Sequence, residues 1–233
     1  MFDHYYEVFL ADTPKSKEIH YSIRYQVYCE EMDFENKNNF PLEQEFDEYD
    51  SHSVHFIVNH KPSGHWVGDM RLIIKDDQLL PIERLCILNE NINNDASGLS
   101  VEISRLCLLK EIRRRSTDSL PPFGIGDYDI GIKDANLNHF RCDNRDIIWG
   151  MIYAAAVYSY YHGMSHWYYM TTRALDKILR KGGLNMMVIG EPCQHKGIRY
   201  PFKMDAFATF HNDMIWKGDY NKGYRLFSEL QLG

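Results

Sequence analysis

The spacing of hydrophobic residues predicts an amphipathic helix near the N-terminus. Thr13 before Pro14 is typical of a helix start, because threonine caps a helix and proline suits its first turn. Ile19, Ile23 and Val27 then recur every four residues. This spacing places them on one stripe that faces the core.

The next hydrophobic segments alternate as strands do. Residues 53–60 place Val54, Phe56 and Val58 on one face, and residues 66–74 return after a turn that contains Pro62 and Gly64. A hairpin is therefore expected here. The segment VEISRLCLL, residues 101–109, predicts a further strand.

Residues 147–172 contain no Asp, Glu, Lys or Arg, so they are tested as a membrane span. Tyr153, Tyr158, Tyr160 and Tyr161, which lie close together, and Gly163 favour two buried elements in series. We expect a helix capped by Asp143 that runs to about Tyr161, followed by a central strand at 167–172 (WYYMTT). No transmembrane segment is predicted.

A short helix at 173–181 and a strand pair at 186–189 and 198–204 complete the order of elements. No repeat or low-complexity linker interrupts the chain. The prediction is a single domain over residues 1–233 of the α+β, or mixed α/β, class with one central sheet.

Composition narrows the class of function. The 233 residues are 44% hydrophobic and 25% charged, as expected for a globular protein with a proper core. Acids outnumber bases 33 to 26, for a net charge of −7, so no nucleic-acid partner is predicted. The acidic segment 30–50 is interpreted as a solvated loop.

The cysteines and histidines give no metal-binding pattern. The five cysteines are odd in number and scattered, with no CxxC and no signal peptide, so they are expected to be reduced and the protein cytoplasmic. His52 and His55 are interpreted as surface histidines. No metal and no permanently bound cofactor are predicted.

The most informative feature is a set of charges in or beside apolar strands and on the first helix. These residues are Arg24, Asp47, Asp50, Arg71, Glu102 and Arg105. A buried charge costs several kcal/mol unless it is paired. Each residue taken alone fits a solvated edge or a structural ion pair, whereas the set together indicates a functional site.

These residues carry a resemblance to a known superfamily. The series RYQVYCEE with Arg24, then Phe34, FDEYDSHSVHF with Asp47 and Asp50, GDMRLI with Arg71, and EISRLCL with Glu102 and Arg105 resembles the acyl-homoserine-lactone synthases. It is most similar to the related N-acyl amino acid synthases and PEP-CTERM/exosortase-associated acyltransferases. The resemblance covers about residues 24–115, under half of the chain.

The resemblance implies a GNAT-like fold. Its central, mostly antiparallel sheet has helices on both faces and a V-shaped opening, here between 101–109 and 167–172, which takes the arm of an acyl thioester. Simple alternation puts Glu102 and Arg105 on opposite faces, so a β-bulge must intervene if both line one site. The amides of Leu106, Cys107 and Leu108 would then bind the thioester oxygen. Cys107 itself is interpreted as a buried thiol.

The resemblance also implies a co-substrate. Coenzyme A-dependent GNAT enzymes carry a glycine-containing loop after this strand, whereas this chain has Arg113, Arg114 and Arg115. Adjacent arginines suit an acidic partner, so acyl carrier protein is the expected donor and partner, with acyl-coenzyme A as the alternative.

Several roles are open for the charged residues. Glu102 is the candidate base, or it positions a water. Asp47 and Asp50 are candidates for binding the ammonium of an amine acceptor. Arg71 and Arg105 either hold an acceptor carboxylate or fix the carboxylates. Arg24 is expected to order the N-terminal cover of the site.

The sequence thus predicts an N-acyltransferase that acts on an amino acid or related small-molecule amine. Two alternatives stay open. One is an acyl-homoserine-lactone synthase, against which Phe34 stands where those synthases typically have tryptophan. The other is a non-catalytic module that binds a carrier protein or lipid.

Overall fold

The computed structural model describes residues 2–94, 97–113, 144–212, 215–216 and 223–231. The elements of the N-terminal half are α1 (Phe2–Tyr5), β1 (Tyr6–Leu10), α2 (Pro14–Tyr25), β2 (Ser53–His60), β3 (His65–Ile74), α3 (Pro81–Leu85), β4 (Leu99–Leu108) and α4 (Lys110–Arg113). A π-helical turn, Gln26–Glu31, continues α2, and short 3₁₀ turns lie at Lys37–Asn39 and Glu48–His52.

The C-terminal half adds the elements that close the sheet. They are α5 (Asn144–Tyr161), β5 (Met164–Thr171), α6 (Arg173–Lys181), β6 (Met187–Val188), β7 (Cys193–Gln194), β8 (Ile198–Asp205), α7 (Ala206–Phe210), β9 (Arg225–Leu226) and a 3₁₀ turn (Phe227–Gln231). The predicted hairpin, the central strand and the final strand pair are confirmed. β1, α3 and α7 were not anticipated from the sequence.

The sheet is mostly antiparallel. The order of the described strands is β6-β8-β5-β4-β3-β2-β1-β9, with β7 pairing β8 outside this path. The β4–β5 and β1–β9 pairs are parallel. This arrangement confirms the predicted fold class.

Helices cover both faces of the sheet. On one face, Ile23 and Val27 of the first helical segment pack on Phe9 and Ile57. The predicted cap holds, because the Thr13 hydroxyl accepts the backbone N–H of Ser16 at 3.2 Å. We call this the α2 face.

The opposite face is covered mainly by α5, with α6 and α7. Ala154, Ala155 and Ala156 are fully buried there, so their small side chains bring the helix close to the sheet. We call this the α5 face. Asp143, the predicted cap, lies outside the described residues. None of the helices in the described part of the chain is both long and apolar enough to cross a bilayer.

Two expectations about cysteine and histidine are wrong. Cys86 and Cys193 are joined by a disulfide, which connects the end of α3 to β7. The sequence pattern does not indicate this pair, because its two cysteines are 107 positions apart. His55 is 1% exposed, because it sits on the covered face of β2.

Candidate functional site

A cavity of about 380 Å³ lies where β4 and β5 separate. The parallel ladder between these strands ends at the pair Glu102 and Tyr168, so residues 103–108 of β4 have no β5 partner. Val27 and Tyr28 line the cavity on the α2 face, and Ile148 and Ile152 line it on the α5 face. The cavity therefore passes through the sheet.

A bulge in β4 controls which side chains reach this cavity. Asp69 pairs with Cys107 and Arg71 pairs with Ser104, so two residues of β4 oppose one of β3. Arg105 lies in the bulge with φ of 53°. The bulge that the resemblance implied is confirmed.

Three arginines and three carboxylates form one ion network on the α2 face. Arg24 donates to Glu45 and, at 2.6 Å, to Asp50. Arg71 donates to Asp47 at 2.6 and 3.0 Å and to Asp50 at 2.7 Å. Arg105 donates to Glu45 and Asp47, each at 3.0 Å. The formal charges of the six groups cancel, which offsets the cost of burying them.

The network indicates a structural role for Arg71 and Asp50, whose roles the sequence left open. Arg71 Nε also donates to Ser104 at 2.9 Å, so each of the three guanidinium nitrogens donates to a protein group. Asp50 is 5% exposed, and its Oδ2 accepts the backbone N–H of Asp47 at 2.7 Å. Both side chains therefore hold the structure of the loop before β2.

Glu45 was missed by the sequence analysis. The acidic run 30–50 was interpreted as a solvated loop, and this is wrong for Glu45, which is 1% exposed. Composition alone could not show that Arg24 and Arg105, from α2 and β4, converge on this carboxylate.

Two buried histidines extend the network. His20 Nδ1 hydrogen-bonds Asp69, and its Nε2 lies 3.1 Å from an Arg24 nitrogen. Burial raises the pKa of Asp69. Burial, with the adjacent His20, lowers the pKa of His55 to about 2, so His55 is neutral at pH 7.

His20, Asp50 and His55 place possible ligand atoms within 4.8 Å of one another. Two guanidinium groups, however, already donate to the same Asp50 oxygen. Their positive charge opposes a cation at this point. We therefore interpret the cluster as part of the ion network and assign no metal to it.

Glu102 differs from the network carboxylates. It is 1% exposed, and its Oε2 accepts the backbone N–H of Ile82 at 2.9 Å. Burial raises its pKa to about 8, although the Ile82 N–H and Arg71 act in the opposite direction. No ion pair of Glu102 occurs among the described residues. It is therefore mostly protonated at pH 7 and can exchange a proton near neutrality.

The structure brings most of the candidate residues together. The cavity lining includes Phe34, Asp47, Arg71, Glu102, Arg105, Leu106, Cys107 and Leu108. Within the described part of the chain, Arg24 and Asp50 lie behind this lining in the network. Cys107 is buried and forms no disulfide with any of the described residues, as expected. Arg113 is the last residue of α4, while Arg114 and Arg115 lie outside the described residues.

The network predicts a defined response to acid. Burial alone would raise the pKa of Glu45, but Arg105 and Arg24 outweigh it and lower this pKa to about 2. A depressed pKa adds stability that is present above the ordinary value of about 4.5 and is lost as pH falls toward 2. Glu45→Gln is therefore expected to lose roughly 3–5 kcal/mol at pH 7, with a smaller loss at pH 3, measured by urea unfolding.

The control for this prediction is Glu48→Gln. Glu48 pairs with Arg84 at 2.6 Å, but both side chains are exposed. Its loss is expected to cost under about 1 kcal/mol. Equal effects of the two substitutions would contradict the assignment of Glu45 to a buried network.

The comparisons with known proteins agree with this architecture. Residues 23–121 match the acetyltransferase (GNAT) domain family. The acyl-homoserine-lactone synthase LasI matches in structure with a TM-score of 0.61 at 14% identity, over 91% of this chain and 95% of that chain. The chain has a GNAT-type fold.

Two further structures share the GNAT-type fold. The CoA-dependent acyl-homoserine lactone synthase BjaI, solved with SAM and isopentyl-CoA, gives a TM-score of 0.60 at 13% identity, over 92% of this chain and 90% of that chain. FeeM, an N-acyl amino acid synthase from uncultured soil microbes, gives 0.53 at 8% identity, over 86% and 92%. No curated protein matches the chain in sequence.

Proposed function

We propose that this chain is an N-acyltransferase. It moves a fatty acyl group from a phosphopantetheine thioester to the amine of an amino acid or related small molecule. The observation that carries the proposal is a cavity that passes through the sheet, with a protonatable carboxyl on one face and an apolar chamber on the other.

The apolar chamber suits a hydrocarbon chain. On the α5 face the cavity is lined by Ile148, Ile152, Leu175, Leu179 and Leu184. All five are hydrophobic residues, four of them on α5 and α6. An aliphatic chain gains roughly 0.8 kcal/mol for each methylene that such a chamber removes from water.

The polar face suits the acceptor. The amine nitrogen attacks the thioester carbonyl carbon, and the carbon–sulfur bond breaks. Ionised Glu102 takes the proton of the amine, directly or through water, and the thiolate leaves and is protonated. The edge of β4 at Leu106–Leu108 that faces away from β3 has no β5 partner and is the proposed donor of N–H groups to the carbonyl oxygen.

The proposed donor is acyl carrier protein, with acyl-coenzyme A as the alternative. BjaI, a structure of similar fold, is described as CoA-dependent, so the fold does not favour carrier protein over coenzyme A as the donor. The subgroup associated with PEP-CTERM and exosortase systems stays a prediction.

The direct test is release of free thiol from acyl carrier proteins and acyl-coenzyme A with short and long chains. Each donor is offered amino acids, simple amines and S-adenosylmethionine, and products are identified by mass. An amide with an amino acid supports the proposal. A lactone from S-adenosylmethionine would instead assign the chain to signal synthesis, and no thiol release from any pair would support the non-catalytic module.

Chain length gives a second prediction. Leu179→Phe is expected to lower kcat/KM for long acyl donors roughly tenfold or more relative to short ones, because the larger side chain fills the chamber. The control is Ile178→Phe, one residue away on α6 and half-buried outside the lining. An unchanged preference between long and short donors in Leu179→Phe, or an equal change in both variants, would show that the acyl chain binds outside this chamber.

A further inference from the structure

The disulfide joins two separate parts of the cavity wall. Cys86 lies directly after α3, and Cys193 is the first residue of β7. Three residues of α3 line the cavity, and so do His195 and Lys196 in the turn that follows β7. The covalent link therefore fixes the distance between α3 and this turn.

The first part of this wall, α3, holds the candidate base. The Ile82 N–H donates to Glu102 Oε2 at 2.9 Å. The Cys86 N–H donates to the Ile82 carbonyl at 3.1 Å, so the disulfide is attached to the same helical turn as Ile82. α3 has five residues, and a helix this short has little stability of its own. Its position therefore depends on what holds its ends.

The second part of the wall is the turn between β7 and β8. It is tight, because Lys196 and Gly197 both have positive φ, 52° and 94°. Lys196 Nζ donates to the Phe34 carbonyl and lies 3.3 Å from the Glu35 carboxylate. Phe34 and Glu35 also line the cavity. The turn and the loop after the π-helical segment therefore form one continuous rim of the cavity.

A methionine lies between the disulfide and the cavity. Met170 Sδ is 3.6 Å from the Cys86 sulfur and 3.9 Å from the Cys193 sulfur. Met170 belongs to β5 and lines the cavity, whereas the two cysteines lie outside the lining. The disulfide is therefore directly behind the cavity wall, and a change in its sulfur atoms reaches the cavity through one side chain.

Backbone hydrogen bonds beside the disulfide do not depend on its redox state. The Asn89 N–H donates to the Ile189 carbonyl at 2.7 Å, and the Glu191 N–H donates to the Ile87 carbonyl at 3.0 Å. These bonds keep residues 87–89 on residues 189–191 when the disulfide is open. Loss of the link would therefore loosen the flanking residues 81–86 and 193–197 without unfolding the domain.

We propose that the Cys86–Cys193 link is a thiol–disulfide switch that sets how closely the cavity wall surrounds the acceptor. Cys193 is half-buried between the exposed Pro192 and Gln194, whereas Cys86 is 8% exposed, so the Cys193 sulfur is the point of attack. The reductant is a dithiol. Its thiolate attacks this sulfur and the Cys86–Cys193 bond breaks; its second thiol then displaces Cys193. The dithiol becomes a disulfide, and its two protons pass to Cys86 and Cys193.

The consequence for turnover rests on the proposed function. With the link closed, α3 and the turn are fixed around Glu102, where the acceptor amine reacts. With the link open, both parts loosen, and the acceptor KM is expected to rise roughly fivefold or more. The apolar chamber lies on the α5 face, away from the link, so the preference between long and short acyl donors should not change.

The test compares the intact protein after oxidised glutathione and after dithiothreitol, with the state of each cysteine mapped by alkylation and mass. Hydrogen exchange of peptides 80–89 and 191–200 should be faster in the reduced protein, while the hairpin of β2 and β3 stays unchanged. The acceptor KM should rise on reduction and return on reoxidation. The control is the double variant Cys86→Ser, Cys193→Ser, which should exchange like the reduced protein and ignore dithiothreitol. Cys193→Ser alone replaces it if the double variant does not fold.

Three results would overturn the inference. They are alkylation of both cysteines after oxidised glutathione, equal hydrogen exchange in the two states, and an equal response of the double variant to dithiothreitol. Exchange is measured without any substrate, so it separates the switch from the proposed function. Faster exchange on reduction without any amide product would retain the switch in the wall and reject the transferase. An amide product formed with the same acceptor KM in both states would retain the transferase and reject the switch.

Discussion

Replacing Glu102 by glutamine is expected to lower kcat about 10²- to 10⁴-fold, the usual contribution of a positioned general base. The glutamine oxygen can still accept the Ile82 N–H that Glu102 accepts at 2.9 Å, so α3 should keep its position. Binding of the acyl donor should therefore persist while turnover is lost. Single-turnover kinetics and donor titration measure the two quantities separately.

The pH dependence carries the sharper part of this prediction. Because burial raises the pKa of Glu102 to about 8, the base form increases as pH rises through 8. We expect the rate of the intact protein to rise over this interval and then level off. The residual activity of Glu102→Gln should lack this rise. A variant that keeps both the rate and the pH profile would contradict the role of base.

The stability of the folded protein should fall over the pH range in which the rate rises. A raised carboxyl pKa gives stability that is present below the ordinary value of about 4.5 and is lost as pH rises through the folded value. Ionising buried Glu102 is therefore expected to cost the folded protein several kcal/mol above pH 8. Glu102→Gln cannot ionise, so it should be the more stable protein at pH 9, by urea unfolding.

Glu83→Gln is the matched control for both measurements. The Glu83 carboxylate also accepts a backbone N–H, that of Leu80, at 2.8 Å. It lies outside the cavity lining. It should keep kcat and the rise of the rate with pH, with the rise moved slightly to lower pH because the Glu83 charge adds to the raised pKa of Glu102. It should not reproduce the gain in stability of Glu102→Gln at pH 9.

The sequence predicted local features of this fold because local features depend on neighbours in the chain. The cap at Thr13, the hairpin of β2 and β3 and the alternation in β5 each follow from a few adjacent residues. Placement of Glu102 in an apolar strand also indicated burial. The raised pKa follows from that burial, since no ion pair compensates it among the described residues.

The missed features depend on residues that are distant in sequence. Glu45 has nothing nearby in the chain to mark it as buried, and its partners come from α2 and β4. Asp69 forms a hydrogen bond with His20, which is 49 positions away in the sequence. The bulge at Arg105 was required by the resemblance, because alternation alone placed Arg105 on the other face. Pairings of this kind are set by the register of the sheet, which single-sequence patterns leave open.

The ion network also predicts a large loss of stability when Arg71 is replaced. Its guanidinium is 1% exposed and donates four hydrogen bonds, to Asp47, Asp50 and Ser104. Arg71→Leu leaves both carboxylates without this partner. Breaking a buried pair in this way costs about 3–5 kcal/mol, because the remaining charge has lost its hydration. Urea unfolding at pH 7 measures the loss.

Two further variants make this prediction specific. Arg71→Lys keeps the charge but lacks the planar fork that bridges Asp47 and Asp50, so it should lie between Arg71→Leu and the intact protein. Arg84→Leu removes an arginine whose pair with Glu48 is exposed and should cost under about 1 kcal/mol. If Arg71→Leu were as mild as Arg84→Leu, the network would not stabilise the loop before β2.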